Sequence, residues 1–139
     1  APAPRQVDIE TLKAVLVNRM HVLRDYSSKV TLPVFRREAA VDASAREVSP
    51  RLLIRRPQLL DDSARARLAS LLERNQALRT VHEFRQQLVA VWEGAHMSNE
   101  ALVRQLREWC SRAEASGIEA LQEFSARLRG YLPTPGYAV

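Results

Sequence analysis

Residues 106–131 read "LREWCSRAEASGIEALQEFSARLRGY", and this stretch decides the fold. Before the Ser116-Gly117 pair, Leu106, Trp109 and Ala113 recur at steps of three and four, continuing from Leu102. After it, Ile118, Leu121, Ser125 and Leu128 repeat the spacing, with Phe124 beside them. Each set falls on one face of a 3.6-residue helix. Gly117 can take the left-handed conformation that closes a helix. The stretch therefore predicts two helices folded back on each other, the first starting at Ser98 or Asn99.

The same reading extends outward. Asn75 is a predicted cap for a helix to about Glu93, with Leu78, Val81, Leu88 and Trp92 on its buried side and Gly94 as its stop. Asp61 and Asp62 cap the helix before it, Ser63 to about Arg74, with Leu68, Leu71 and Leu72 facing inward. Residues 36–62 are less regular. There Ser49-Pro50 starts a short helix through Ile54 and Pro57 ends it. At the front, Asp8 caps a long helix whose stripe is Ile9, Leu12, Leu16, Met20, Leu23, Tyr26 and Val30. Pro33 is predicted to end or kink that helix, because it lacks an N–H and crowds the preceding turn. The fold class is all-α: an antiparallel bundle of about five helices with short loops, over residues 9–132. Residues 1–8 form a Pro-containing linker and 133–139 a Pro- and Gly-rich flexible tail.

Composition agrees. The 139 residues are 46% apolar and 27% charged, as in an ordinary soluble domain, and the helix formers Leu, Ala, Arg, Glu and Gln dominate. No apolar run approaches the ~20 residues that cross a bilayer. The single cysteine, Cys110, excludes an internal disulfide and a cysteine-based zinc site. The net charge of +5 is uneven. Residues 1–60 carry 11 basic against 6 acidic residues, and residues 61–139 carry 10 against 10. Two readings compete, a basic face aimed at phosphate and compositional drift. The presence of only two lysines, Lys13 and Lys29, favours drift.

Catalytic patterns are not found. His21, His82 and His96 lack helical metal-ligand spacing, apart from Asp25 four residues after His21, which reads as a surface pair. No Gly-rich phosphate loop, nucleophile elbow or H-E-x-x-H is present. Cys110 beside Trp109 reads as a packed thiol. Glu108–Arg112 and Glu123–Arg127 are expected as i,i+4 pairs on a solvated face. The segment "PRLLIRRPQLL", residues 50–60, is more suggestive. Arg51, Arg55 and Arg56 flank apolar residues, and Arg36 and Arg37 lie just upstream. These five arginines are the candidate contacts with an anionic surface. The alternative is a short bundle helix with a basic outer edge.

Three stretches carry a family resemblance: "TLKAVLVNRMHVLRDYSSKV", "LLERNQALRTVHEFRQQLVAVWE" and the opening quotation. In this order they resemble the C-terminal, non-catalytic region of bacterial DesA-type acyl desaturases, most specifically through Trp109 to Ile118. The C-terminal half is also similar to the end of ISL3-type transposases, which share an A-x-x-S-G-I-x-x-L-x-x-F pattern. That pattern falls here on Ala113, Ser116, Gly117, Ile118, Leu121 and Phe124. The desaturase resemblance implies a membrane di-iron parent that desaturates acyl chains with dioxygen and a redox partner. It further implies an accessory domain on the cytoplasmic side of the inner membrane, against the parent's catalytic part. The histidine boxes that hold such iron do not occur in this chain. The transposase resemblance implies instead a helical region contacting DNA through its basic half. The expectation carried forward is the desaturase domain, with the transposase region and a free-standing interaction module as alternatives.

Overall fold

The computed structural model describes residues 19–93, 99–130 and 132. All of their regular structure is helical. The first element is one rod in three parts: α1 (Arg19–Tyr26), a π-helical segment (Ser27–Thr31) and α2 (Leu32–Val41). Of the two outcomes expected at Pro33, an end or a kink, the helix does not end there. Pro33 sits in the first turn of α2, where its missing N–H costs least. The turn before it is widened, so that Leu32 N–H bonds the Ser27 carbonyl five residues back. A π-turn of this kind absorbs the crowding that a proline ring imposes on the preceding turn.

The rod stops at Asp42, which leaves helical geometry and becomes a cap. Its Oδ1 accepts from the Ser44 N–H at 3.0 Å and the Ser44 hydroxyl at 2.6 Å, opening α3 (Ala43–Arg46). Ser49 and Pro50 start α4 (Arg51–Ile54) as expected, and Pro57 opens a single 3-10 turn (Pro57–Leu59). Asp61 caps α5 (Asp62–Arg74), accepting from Ala64 N–H at 2.7 Å. Asn75 caps α6 (Gln76–Glu93), its Oδ1 accepting from Leu78 N–H at 2.9 Å. α7 (Asn99–Glu114) and α8 (Glu119–Arg129) complete the bundle, with Gly117 at φ 78° between them. The predicted start at Asp8, the stop at Gly94, His96 and the two termini lie outside the described residues.

Sequential helices pack as neighbours, and the rod crosses back onto α6 and α8. The junction is aromatic. Tyr26 meets Phe124 edge-on at 5.2 Å and Trp109 at 6.2 Å, and Trp109 meets Phe84 at 5.7 Å. Such edge-to-face pairs contribute beyond the area they bury. Their polar atoms are satisfied. The Tyr26 hydroxyl donates to the Val81 carbonyl at 2.6 Å and Trp109 Nε1 to the Phe84 carbonyl at 2.9 Å. Tyr26 and Trp109 are fully buried, as are Leu78, Leu88, Leu106 and Leu121. Ile118, Leu72, Leu102 and Trp92 sit only part-buried around this core. The expected i,i+4 pairs are replaced by contacts across helices. Arg112 donates to Gln87 Oε1 at 3.3 Å, and Arg127 lies 3.9 Å from Asp25. Each arginine reaches a neighbouring helix, and Arg127 also lies over the Phe124 ring of its own helix.

Candidate nucleic-acid interface

The five candidate arginines fall on the rod and on the short elements after it. Arg36 and Arg37 lie side by side on α2, Arg51 opens α4, Arg55 closes it, and Arg56 precedes the 3-10 turn. All five are exposed, and their guanidinium groups form no ion pair among the described residues. The periodicity explains the placement. The apolar positions of the same segments, Val34, Phe35 and Leu53, are taken into the core. Neighbouring basic residues do structural work instead. Arg46 donates to the Ala39 carbonyl at 2.7 Å, closing the end of α2, and Arg65 Nε donates to the Pro57 carbonyl at 3.1 Å.

Of the five, the structure joins Arg56 to a concave site. A groove of about 820 Å³ runs between α1, the segment from Ile54 to Leu59, and α6. Arg24, Arg56 and Arg85 line it together. Sequence reasoning missed Arg24 and Arg85. A signal for Arg85 exists, since it falls on the apolar stripe of α6 between Val81 and Leu88. It is 91% buried by that placement, being 9% exposed. Burial pushes its pKa down, only partly opposed by Tyr26. Burial in turn drives the pKa of the Tyr26 hydroxyl far up, opposed by Arg85. His82 is half-buried one turn earlier, and burial, then Arg85, lowers its pKa, so its ring is neutral at pH 7.

Other polar residues serve the fold. Asn75 Nδ2 donates to Glu38 Oε1 at 3.0 Å and Asp42 Oδ2 at 2.9 Å, joining the rod to the start of α6. The hydrogen bond from Ser44, then that from Asn75, holds the Asp42 carboxyl below its usual range. Glu114 receives Arg129 through both carboxylate oxygens, and that pairing lowers its pKa. Cys110 is fully buried, and burial raises its pKa, which matches a packed thiol. Among the described residues no group of three or more His, Cys, Asp or Glu could hold a metal ion.

Fold and surface thus define an all-α domain that offers exposed cations and a groove. A family model of ISL3-type DDE transposases, described as "Transposase", matches residues 13–133, and the chain belongs to this family. Over 82 residues it is 42% identical to the "Transposase for insertion sequence element IS1001" of Bordetella parapertussis. That alignment covers 58% of this chain and 20% of the relative, so the chain spans about a fifth of the curated relative it matches. No solved structure matches it.

These matches overturn the desaturase assignment. The implied di-iron parent, acyl substrate, redox partner and inner-membrane placement have no support and fall with it. The physical reason is specific. The pattern from Ala113 to Phe124 encodes an amphipathic helical hairpin closed at a left-handed glycine, which is a packing solution and not a chemistry. No described helix is long and apolar enough to cross a membrane.

Proposed function

We propose that this chain is a helical, DNA-contacting segment of an ISL3 transposase, and that Arg36, Arg37, Arg51, Arg55 and Arg56 contact phosphate. The observation that carries the reading is the family match across residues 13–133. Three features support it. The whole net charge resides in residues 1–60. The five arginines are exposed and unneutralised within the described fold. The guanidinium fork matches phosphate oxygens in a bidentate way. Few aromatic residues interleave these arginines, so stacking on single-stranded bases is not part of the proposal. The contact is therefore sequence-tolerant and positions the backbone.

The test is a titration of a short duplex with the chain across salt concentrations. Each phosphate neutralised contributes about 0.9 to the slope of log affinity against log salt. Binding at low salt with a slope of several units is the expected result. Salt-independent binding, or none at low salt, would overturn the reading.

A further inference from the structure

The groove presents a different chemistry from the exposed arginines. Arg85 is an ionised side chain in the apolar stripe of α6, and its Nε has no hydrogen-bond partner among the described residues. A guanidinium does not escape its burial by losing a proton. Its Nε is buried and unpaired whereas Nη1 and Nη2 are not, so the guanidinium meets the groove with one N–H left unsatisfied, which costs free energy. It calls for an oxyanion from outside. Arg24 and Arg56 flank the same groove, whereas Leu23, Ile54, Leu59 and Val89 give it aliphatic walls. Leu59 stands 70% exposed at the rim. The one carboxylate in the lining is Glu93, two helical turns from Arg85, about 12 Å along α6.

We infer that this groove docks a protein segment in which a carboxylate is flanked by aliphatic side chains, supplied by the rest of the transposase polypeptide. The buried guanidinium takes the carboxylate in bidentate geometry, and the aliphatic walls take its neighbours. A nucleic-acid backbone satisfies only the first half of this site, because it has no aliphatic side chains to cover Ile54, Leu59 and Val89. The length argument points the same way. The alignment covers only a fifth of a family relative, leaving most of such a polypeptide to supply the segment. The inference rests on the transposase reading for the source of the segment and not on the DNA contact.

The probes are two peptides, acetyl-Leu-Glu-Leu-Leu-amide and its Gln counterpart, followed through the arginine Nε–H resonances of the isotopically labelled chain. The Glu peptide shifts the Arg85 signal saturably. The Gln peptide binds about tenfold more weakly, the loss of one charge-assisted hydrogen bond. Arg56→Gln and Leu59→Ser, both at exposed positions, weaken the Glu peptide. Arg85→Met abolishes the response while leaving the thermal midpoint unchanged or higher, because it removes a buried, unpaired N–H. Equal binding of the two peptides, binding of neither, or a sharp fall in the midpoint of Arg85→Met would overturn the inference. So would a short duplex that shifts Arg85 before the peptide does. A duplex that moves only the exposed arginine signals reports on the DNA contact separately.

Discussion

The hairpin of α7 and α8 and the rod with its groove are built from similar residues to different ends. In the hairpin, buried polar atoms find partners. Trp109 Nε1 reaches a carbonyl, and Ser125 Oγ lies 3.2 Å from the Cys110 carbonyl and 3.0 Å from Glu114 Oε2. On the rod and on α6, Thr31 Oγ1, Arg85 Nε and Trp92 Nε1 are buried without a partner among the described residues. The rod also holds the π-helical segment that accommodates Pro33. Under the proposed function, stability falls to the hairpin and binding to the rod and groove.

The comparison can be broken by substitutions whose effects differ in size. Trp109→Ala removes a fully buried side chain that meets Tyr26, Phe84 and Phe124. It is expected to cost about 3–5 kcal/mol in urea unfolding. A loss below 1 kcal/mol would show that the aromatic junction is not the keystone of the fold. Asn75→Ala removes a helix cap and leaves Glu38 and Asp42 without their shared donor. A cost of about 1–2 kcal/mol in the same assay is expected. Gly117→Ala meets no atom within 4 Å, so only the left-handed backbone opposes it. That strain amounts to about 1 kcal/mol, and a neutral result would mean the turn relaxes.

The smallest effect is that of pH. His82 has a folded pKa depressed first by burial, so the unfolded chain binds the proton more readily. Its contribution is whole above the ordinary histidine range and is lost as pH falls through it. Asp42 and Glu114, held low by hydrogen bonds from Ser44 and Arg129 respectively, contribute above the ordinary carboxylate range. Their share is lost as pH falls further. Thermal midpoints should therefore decline in two steps on acidification, the first absent in His82→Phe. A midpoint that rises toward pH 5 would contradict the sign.

The hairpin was legible because its signals are local. The stripes of Leu106 and Leu121, the break at Gly117 and the caps at Asp61 and Asn75 all act within a few residues of themselves. The fate of Pro33 was not legible. A widened turn needs the preceding five residues to be held by other helices, and sequence pattern does not show that support. The groove was hidden for the same reason, since Arg24, Arg56 and Arg85 come from three separate elements. The five surface arginines were legible as exposed cations but not as a site. The desaturase resemblance misled because it leaned on a helical hairpin pattern that also occurs in transposases.

Two matched charge reversals, read by duplex-binding anisotropy at low salt, test the assignment of binding to the rod half most directly. One changes Arg51, Arg55 and Arg56 to Glu. The other changes Arg79, Arg104 and Arg112, equally exposed on α6 and α7, to Glu. The expected result is that the first variant loses binding, with the salt slope falling by about three, while the second keeps most of its affinity. Equal losses, or a larger loss in the second variant, would contradict the account.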